Sequence, residues 1–246
     1  MGHYTLRDLY MAGVQWELTE NPVKPGVNTA TQQNPTAAKM SSKPAIIPAA
    51  APITLDIVKS MVNRPNDIDS LVRMVMEFNH PLRSGATNVV MPNIAQNPNG
   101  LVIVTDMPSM DDDANGKVLS GAAGEMIVKM LNAIEMSRDS VSIIPLIFWR
   151  TPGGRTPNRE ELDLVRPFID KMLEMLAPKI VITLGTLAAE EIAQTNLSAN
   201  HGNEITHDTG YKIVPIFHPN YLILKPSAKK SVWDALQNVQ KMLKNS

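Results

Sequence analysis

From Gly100 onward the chain repeats one pattern, a short apolar run, a turn and a helical stretch, and this restricts the fold more than any other feature. Leu101-Val102-Ile103-Val104 leads to a helical stretch over 121–134, and an apolar run over 141–147 leads to one over 160–176. Ile180-Val181-Ile182-Thr183-Leu184 runs through Gly185-Thr186 into a third helix, and a run over 213–217 precedes a helix over 228–243. Strands without polar alternation are buried on both faces, and helices between them supply the crossovers of a parallel sheet. The expected class is α/β, a three-layer α/β/α fold around a central four-stranded parallel sheet. Such sheets bind ligands beyond the carboxyl ends of their strands. The chemistry should therefore lie in 105–121, 145–155 and 218–225.

The chain before Gly100 reads differently. Leu6, Leu9, Tyr10, Val14 and Leu18 recur at helical spacing, so residues 1–20 are expected to hold an amphipathic helix. Residues 21–52 contain six prolines among Ala, Thr, Gln and Ser, too little apolar surface to fold alone, and read as a flexible linker. A tethered amphipathic helix suits the groove of a protein partner. The α/β domain is expected over 53–246, opened by short helices over 54–62 and 67–78, the second capped by Asn66 or Asp67.

Composition removes several classes of function. The chain has no cysteine, which excludes disulfides, a thiol nucleophile, zinc ribbons and thiolate-held iron–sulfur clusters. No apolar run approaches the ~18 residues of a membrane helix, and the N-terminus lacks the basic and apolar regions of a secretory signal, so a cytoplasmic location is expected. Net charge is −1, yet residues 211–246 carry six lysines against Asp234, a local balance of +5. That is either a phosphate-tracking edge or a solvated helix face.

Each strand-end segment carries candidate chemistry. In the first, Asp106 directly follows a buried strand, where a carboxylate can orient or deprotonate water or simply cap a turn. Asp111, Asp113, Asn115 and Gly116 fit the start of a calcium loop, but Ala122 stands where the bidentate glutamate is required. In the second, Arg150 and Arg155 lie on a Pro/Gly-punctuated loop, where they either contact phosphates or pair with nearby acids. In the third, His218 ends a strand and precedes Pro219-Asn220-Tyr221-Leu222-Ile223-Leu224-Lys225. This reads as an apolar loop suited to wedging into a base stack, or as a loop tucked against the body.

These residues sit in recognisable blocks: Thr87-Asn88-Val89-Val90, residues 106–121, Phe148-Trp149-Arg150-Thr151-Pro152-Gly153-Gly154-Arg155-Thr156-Pro157, residues 178–185, and His218 to Leu222 with Lys229 and Val232-Trp233 downstream. In order and spacing the chain resembles the family 4 uracil-DNA glycosylases over most of 67–243, with a weaker echo in 5–25. The resemblance implies a DNA base-excision repair enzyme that flips uracil or a related deaminated base from DNA and hydrolyses its N-glycosidic bond.

The family's Gly-Glu-Ala-Pro-Gly motif corresponds to Thr105-Asp106-Met107-Pro108-Ser109, so Asp106 takes the glutamate's place and Asp112 that of a later acid. His218 would hydrogen-bond the departing base. Met107, Pro108, Leu119 and Pro145 would line the base pocket, Leu119 standing for the stacking aromatic and Pro145 for the asparagine that reads the base edge. Arg150, Arg155, Asn220, Tyr221, Leu222, Lys225, Lys229 and Lys230 would meet DNA, with Tyr221 and Leu222 in the wedge.

The family's iron–sulfur cluster is held by four cysteines, whose positions here are Glu77, His80, Trp149 and Val165. No cluster and no other cofactor is expected, and a Trp149–Val165 contact is expected to take over part of its stapling role. Two functions remain open for a chain expected to be monomeric. One is a glycosylase with altered or weakened specificity; the other is a catalytically degenerate relative that binds or scaffolds DNA.

Overall fold

The structure, a computed structural model, describes residues 53–245. The helix and linker expected over 1–52 lie outside the described residues.

Two helices come first, α1 (Leu55–Val62) and α2 (Ile68–Glu77). Asp67, not Asn66, caps α2, its carboxylate accepting the Ser70 N–H at 2.7 Å. The alternating part then runs β1 (Leu101–Thr105), α3 (Met110–Asn115), α4 (Gly121–Asn132), β2 (Ser142–Pro145), α5 (Arg159–Leu176), β3 (Ile180–Leu184) and α6 (Thr186–Ile192). It ends with α7 (Leu197–Asn200), β4 (Ile205–Thr206), β5 (Lys212–Ile216), α8 (Pro219–Leu224) and α9 (Lys229–Lys244).

The sheet order is β2-β1-β3-β5-β4. β2, β1, β3 and β5 pair in parallel, as expected, but the sheet has five strands and not four, because β4 adds antiparallel to β5. β4 has two residues, one half-buried and one exposed, so it carries no apolar run that periodicity could detect. The expected loops over 105–121 and 218–225 also differ, each folding a short helix, α3 or α8, into the strand end.

Side-chain alternation along fully buried strands creates two cores. Val102, Val104, Ile144, Val181 and Ile213 pack with α1, α2 and α5 on one face. Leu101, Ile103, Ile143, Ile182, Val214 and Ile216 pack with α4, α8 and α9 on the other. Pro145 ends β2, an edge strand, where a missing N–H is tolerated.

This winding fixes the site. After β1 the chain supplies α4 to one core, and after β3 it supplies α6, whose Ile192 joins the other. The carboxyl ends of β1 and β3 thus flank the crevice where the connections diverge.

Candidate active site

Asp106 lies in that crevice. Its N–H donates to Leu184 O at 3.1 Å, and its Oδ1 accepts the Ala188 N–H at 2.7 Å from the first turn of α6. Gly185 is obligatory between them: its φ is +106°, and an added Cβ would fall 2.1 Å from Asp106 Oδ2. Burial raises the Asp106 pKa to about 6, against the α6 backbone N–H groups that favour the carboxylate. The carboxyl therefore caps the turn into α6 from the carboxyl end of β1.

His218 follows β5 on the same edge, linked back through the Gly185 N–H to Ile216 O bond of 3.0 Å. Two strand spacings separate the ends of β1 and β5, roughly 10 Å of backbone. The Asn220 N–H donates to His218 Nδ1 at 3.2 Å, so the neutral ring carries its proton on Nε2. Burial lowers the His218 pKa to about 4, with Asp112 pulling the other way. At neutral pH this side chain is an uncharged donor.

Asp112 is buried and engaged by the backbone. It is 5% exposed, and its two oxygens accept the N–H groups of Ser109 at 2.8 Å and Ser120 at 2.6 Å. The expected catalytic acid is a clamp that ties the start of α3 to the start of α4. Its neighbour Asp113, which the sequence reading gave no catalytic role, accepts the N–H groups of Thr87 and Asn88 and anchors that block.

Of the residues expected to line the base pocket, Met107 is half-buried and Pro108, Leu119 and Pro145 are buried. Leu119 holds an unusual φ of +49°. Thr105, the register partner of Pro145, buries its Oγ1 without a hydrogen-bond partner among the described residues. A threonine ending an apolar strand was the available sequence signal for this unmet hydroxyl.

Of the two arginines, Arg155 forms a bidentate pair with Glu161, Nη1 to Oε2 at 2.8 Å, the pairing with a nearby acid that the sequence left open beside a phosphate contact. Arg150 is half-buried and makes no ion pair among the described residues.

The segment after His218 is also corrected. Leu222 is 1% exposed and belongs to the core, so it is no wedge. Helical phase turns Ile223 and Leu224 outward instead, Leu224 to 84% exposure. Tyr221 packs against Phe217 at 4.8 Å between ring centroids, with Lys225 Nζ 5.8 Å from its ring. Asn220 gives its backbone N–H to the His218 cap and is itself exposed. Lys229 and Lys230 open α9 beside an Ala228 cap that offers no side-chain bond. Cations at a helix N-terminus oppose its dipole, so local stability does not account for them.

A model of the Uracil DNA glycosylase superfamily matches residues 92–239, more than half of the chain. The chain belongs to this superfamily. It is 27% identical over 173 residues to the Type-4 uracil-DNA glycosylase of Archaeoglobus fulgidus, covering 66% of this chain and 86% of that protein. It is 29% identical over 146 residues to that of Thermotoga maritima, covering 58% and 76%. With that of Pyrobaculum aerophilum it shares 31% over 114 residues, covering 46% and 58%.

Within the superfamily, the iron–sulfur cluster implied by the family 4 resemblance finds no fit here. Glu77 is exposed and Val165 is buried. His80 is 1% exposed with both nitrogens engaged, Nε2 donating to Glu161 O at 3.0 Å and Nδ1 accepting the Leu82 N–H at 3.2 Å. Its ring lies against Trp149, the residue at a third position. Trp149 and Val165 do share a core, but the aromatic partners of Trp149 are His80, Phe78 and Phe148. Among the described residues no group of three His, Cys, Asp or Glu is placed to hold a metal, and no helix is long and apolar enough to cross a membrane.

Proposed function

We propose that this chain is a DNA glycosylase that releases uracil or a related deaminated base. The observation that carries the reading is the pairing of Asp106 and His218 on one sheet edge, a buried carboxyl poised near neutrality and an uncharged imidazole donor. In the reaction the C1′–N bond breaks and its electron pair leaves with the base. His218 Nε2–H donates a hydrogen bond to the base oxygen on which that charge gathers. Water oxygen bonds to C1′, and its proton passes to Asp106, whose anion also stabilises the cationic sugar of the transition state. A carboxyl with a pKa of about 6 suits that proton transfer at neutral pH.

DNA is the partner this reading requires. Ile223 and Leu224 form the exposed apolar tip, with Lys225, Lys229 and Lys230 on its C-terminal side. The wedge is therefore assigned to Leu224, and the phosphate contacts to the lysines. Base recognition must differ from an asparagine-and-aromatic pocket, because Pro145 and Leu119 offer neither polar edge nor ring. The unmet Thr105 hydroxyl is the candidate partner for a polar edge of the base.

The same two substitutions favour a second reading, a degenerate relative that binds DNA without releasing a base. Labelled oligonucleotides carrying uracil opposite G, opposite A or in single strands, plus hypoxanthine and xanthine, separate the two. Base release that disappears in Asp106→Asn supports the enzyme. A blank panel from folded protein, with salt-dependent DNA binding, supports the second reading.

A further inference from the structure

We propose that Arg138, a residue outside the crevice, is a positioning residue that holds residues 118–120 so that Leu119 can form one wall of the base pocket; this rests on the glycosylase reading above. Arg138 Nη1 donates to Leu119 O at 3.0 Å, and Nη2 donates to Val118 O. The guanidinium thus grips two successive carbonyls, a geometry its planar fork allows and a lysine's single ammonium does not reproduce.

The turn needs a grip. Leu119 is a non-glycine residue at φ +49°, a conformation that persists only when its surroundings over-determine it. The Leu119 side chain is 2% exposed and packs into the core, while the turn itself borders a cleft of about 490 Å³ lined by Lys117, Ser120 and Arg138 as well, so the backbone is held by core packing on one side only. Two other locks act from within. Asp112 Oδ1 accepts the Ser120 N–H, and Gly124 leaves room for Leu119 O, which an added Cβ would meet at 2.3 Å.

Arg138 is itself fixed. It starts the short turn into β2, and its carbonyl accepts from Asn93 Nδ2 at 3.1 Å. One side chain thereby ties the entry of β2 to the turn that carries Leu119, while β2 itself ends at Pro145 on the carboxyl edge of the sheet.

The test compares wild type with Arg138→Met, Arg138→Lys and, as an independent attack on the same turn, Gly124→Ala. Three quantities are read: amide hydrogen exchange over residues 117–124, affinity for DNA carrying a non-hydrolysable base analogue, and affinity for abasic DNA. Loss of two charge-assisted hydrogen bonds should weaken analogue binding roughly tenfold or more in Arg138→Met and speed exchange over 117–124, with Arg138→Lys intermediate. Affinity for abasic DNA, which has no base to meet Leu119, should stay within about twofold.

Equal loss on both DNAs, or unchanged exchange in Arg138→Met, overturns the positioning role. If Arg138→Met does not fold, Arg138→Lys and Gly124→Ala must show the same split between the two DNAs. A wild type that binds the analogue no better than undamaged DNA and releases no base sinks the glycosylase reading instead, and the exchange result then decides whether Arg138 holds the turn.

Discussion

His80 and Trp149 stack face to face, ring centroids 4.7 Å apart and planes within 2° of parallel. The stack joins the segment after α2 to the loop after β2, and His80 Nε2 extends the link to the Glu161 carbonyl at the start of α5. Three stretches of chain meet on one imidazole. Removing it in His80→Ala leaves a cavity, takes the acceptor from the Leu82 N–H and takes one donor from the Glu161 carbonyl, and should cost ~2–4 kcal/mol of stability, read from urea unfolding midpoints. An iron chelator should leave the wild-type midpoint unmoved. Purified protein that contains iron and loses stability with chelator would refute this account of the region.

The acid limb of base release should belong to Asp106. The reaction needs the carboxylate, so the rate should rise with pH through about 6 and level off above it. His218, with a pKa of about 4, is already neutral across that range and adds no second step near 6. Single-turnover rates from pH 5 to 8 test this. A limb near 6 that survives in a residually active Asp106→Asn protein would assign it elsewhere.

The same two groups should tilt stability in opposite directions. Unfolded, His218 binds a proton below about 6.5, but folded it resists one down to about 4, so it lowers stability as pH falls between these values. His80 and His201, whose pKa values burial also lowers, act in the same sense. Folded Asp106 keeps its proton up to about 6, whereas the unfolded carboxyl releases it near 3.8, so its contribution is lost as pH rises across that window. Relative to wild type, His218→Gln should lose less stability on acidification from pH 6.5 to 4.5, and Asp106→Asn should lose more. Unfolding midpoints at those two pH values give the sign directly.

The lysines at the start of α9 should be worth salt dependence rather than fold. Replacing both Lys229 and Lys230 with Gln should reduce the slope of log affinity against log salt by roughly 1.4–1.8, depending on strandedness, if each meets one phosphate. Leu224→Ala should leave thermal stability almost unchanged, because the side chain is 84% exposed, while slowing base release from duplex more than from single strands. Equal slowing on both substrates would remove Leu224 from the wedge role.

Gly185→Ala probes the setting of Asp106 without removing a polar group. The new methyl would collide with Asp106 at a backbone φ of +106°, so the variant should be destabilised and its base release should fall at least tenfold. A variant as active and stable as wild type would show that Asp106 need not occupy this position.

How much of this was legible in the sequence follows from how local each feature is. The four long strands were visible because burial on both faces leaves uninterrupted apolar runs such as Leu101–Thr105 and Ile180–Leu184. Asp106 and His218 were visible because each directly follows such a run, and a strand's carboxyl end is fixed by the strand itself. β4 was not, since two residues that pair only with β5 carry no pattern of their own.

Direction and partnership needed the tertiary structure. Leu222 and Leu224 are chemically alike, and only the folding of that segment into a helix, with one face on the core, sends Leu222 inward and Leu224 out. Asp112 and Asp106 are both acids near a strand end, but the backbone N–H groups of Ser109 and Ser120 close around Asp112. His80 meets Trp149, and Arg138 meets Leu119, across stretches of sequence with nothing local to announce the pairing. The sequence by itself determined the layers and the edge where chemistry can occur, because strand burial is written in neighbouring residues. Which side chains near that edge are turned outward, and which hold the scaffold, was decided by contacts that exist only once the chain has closed on itself.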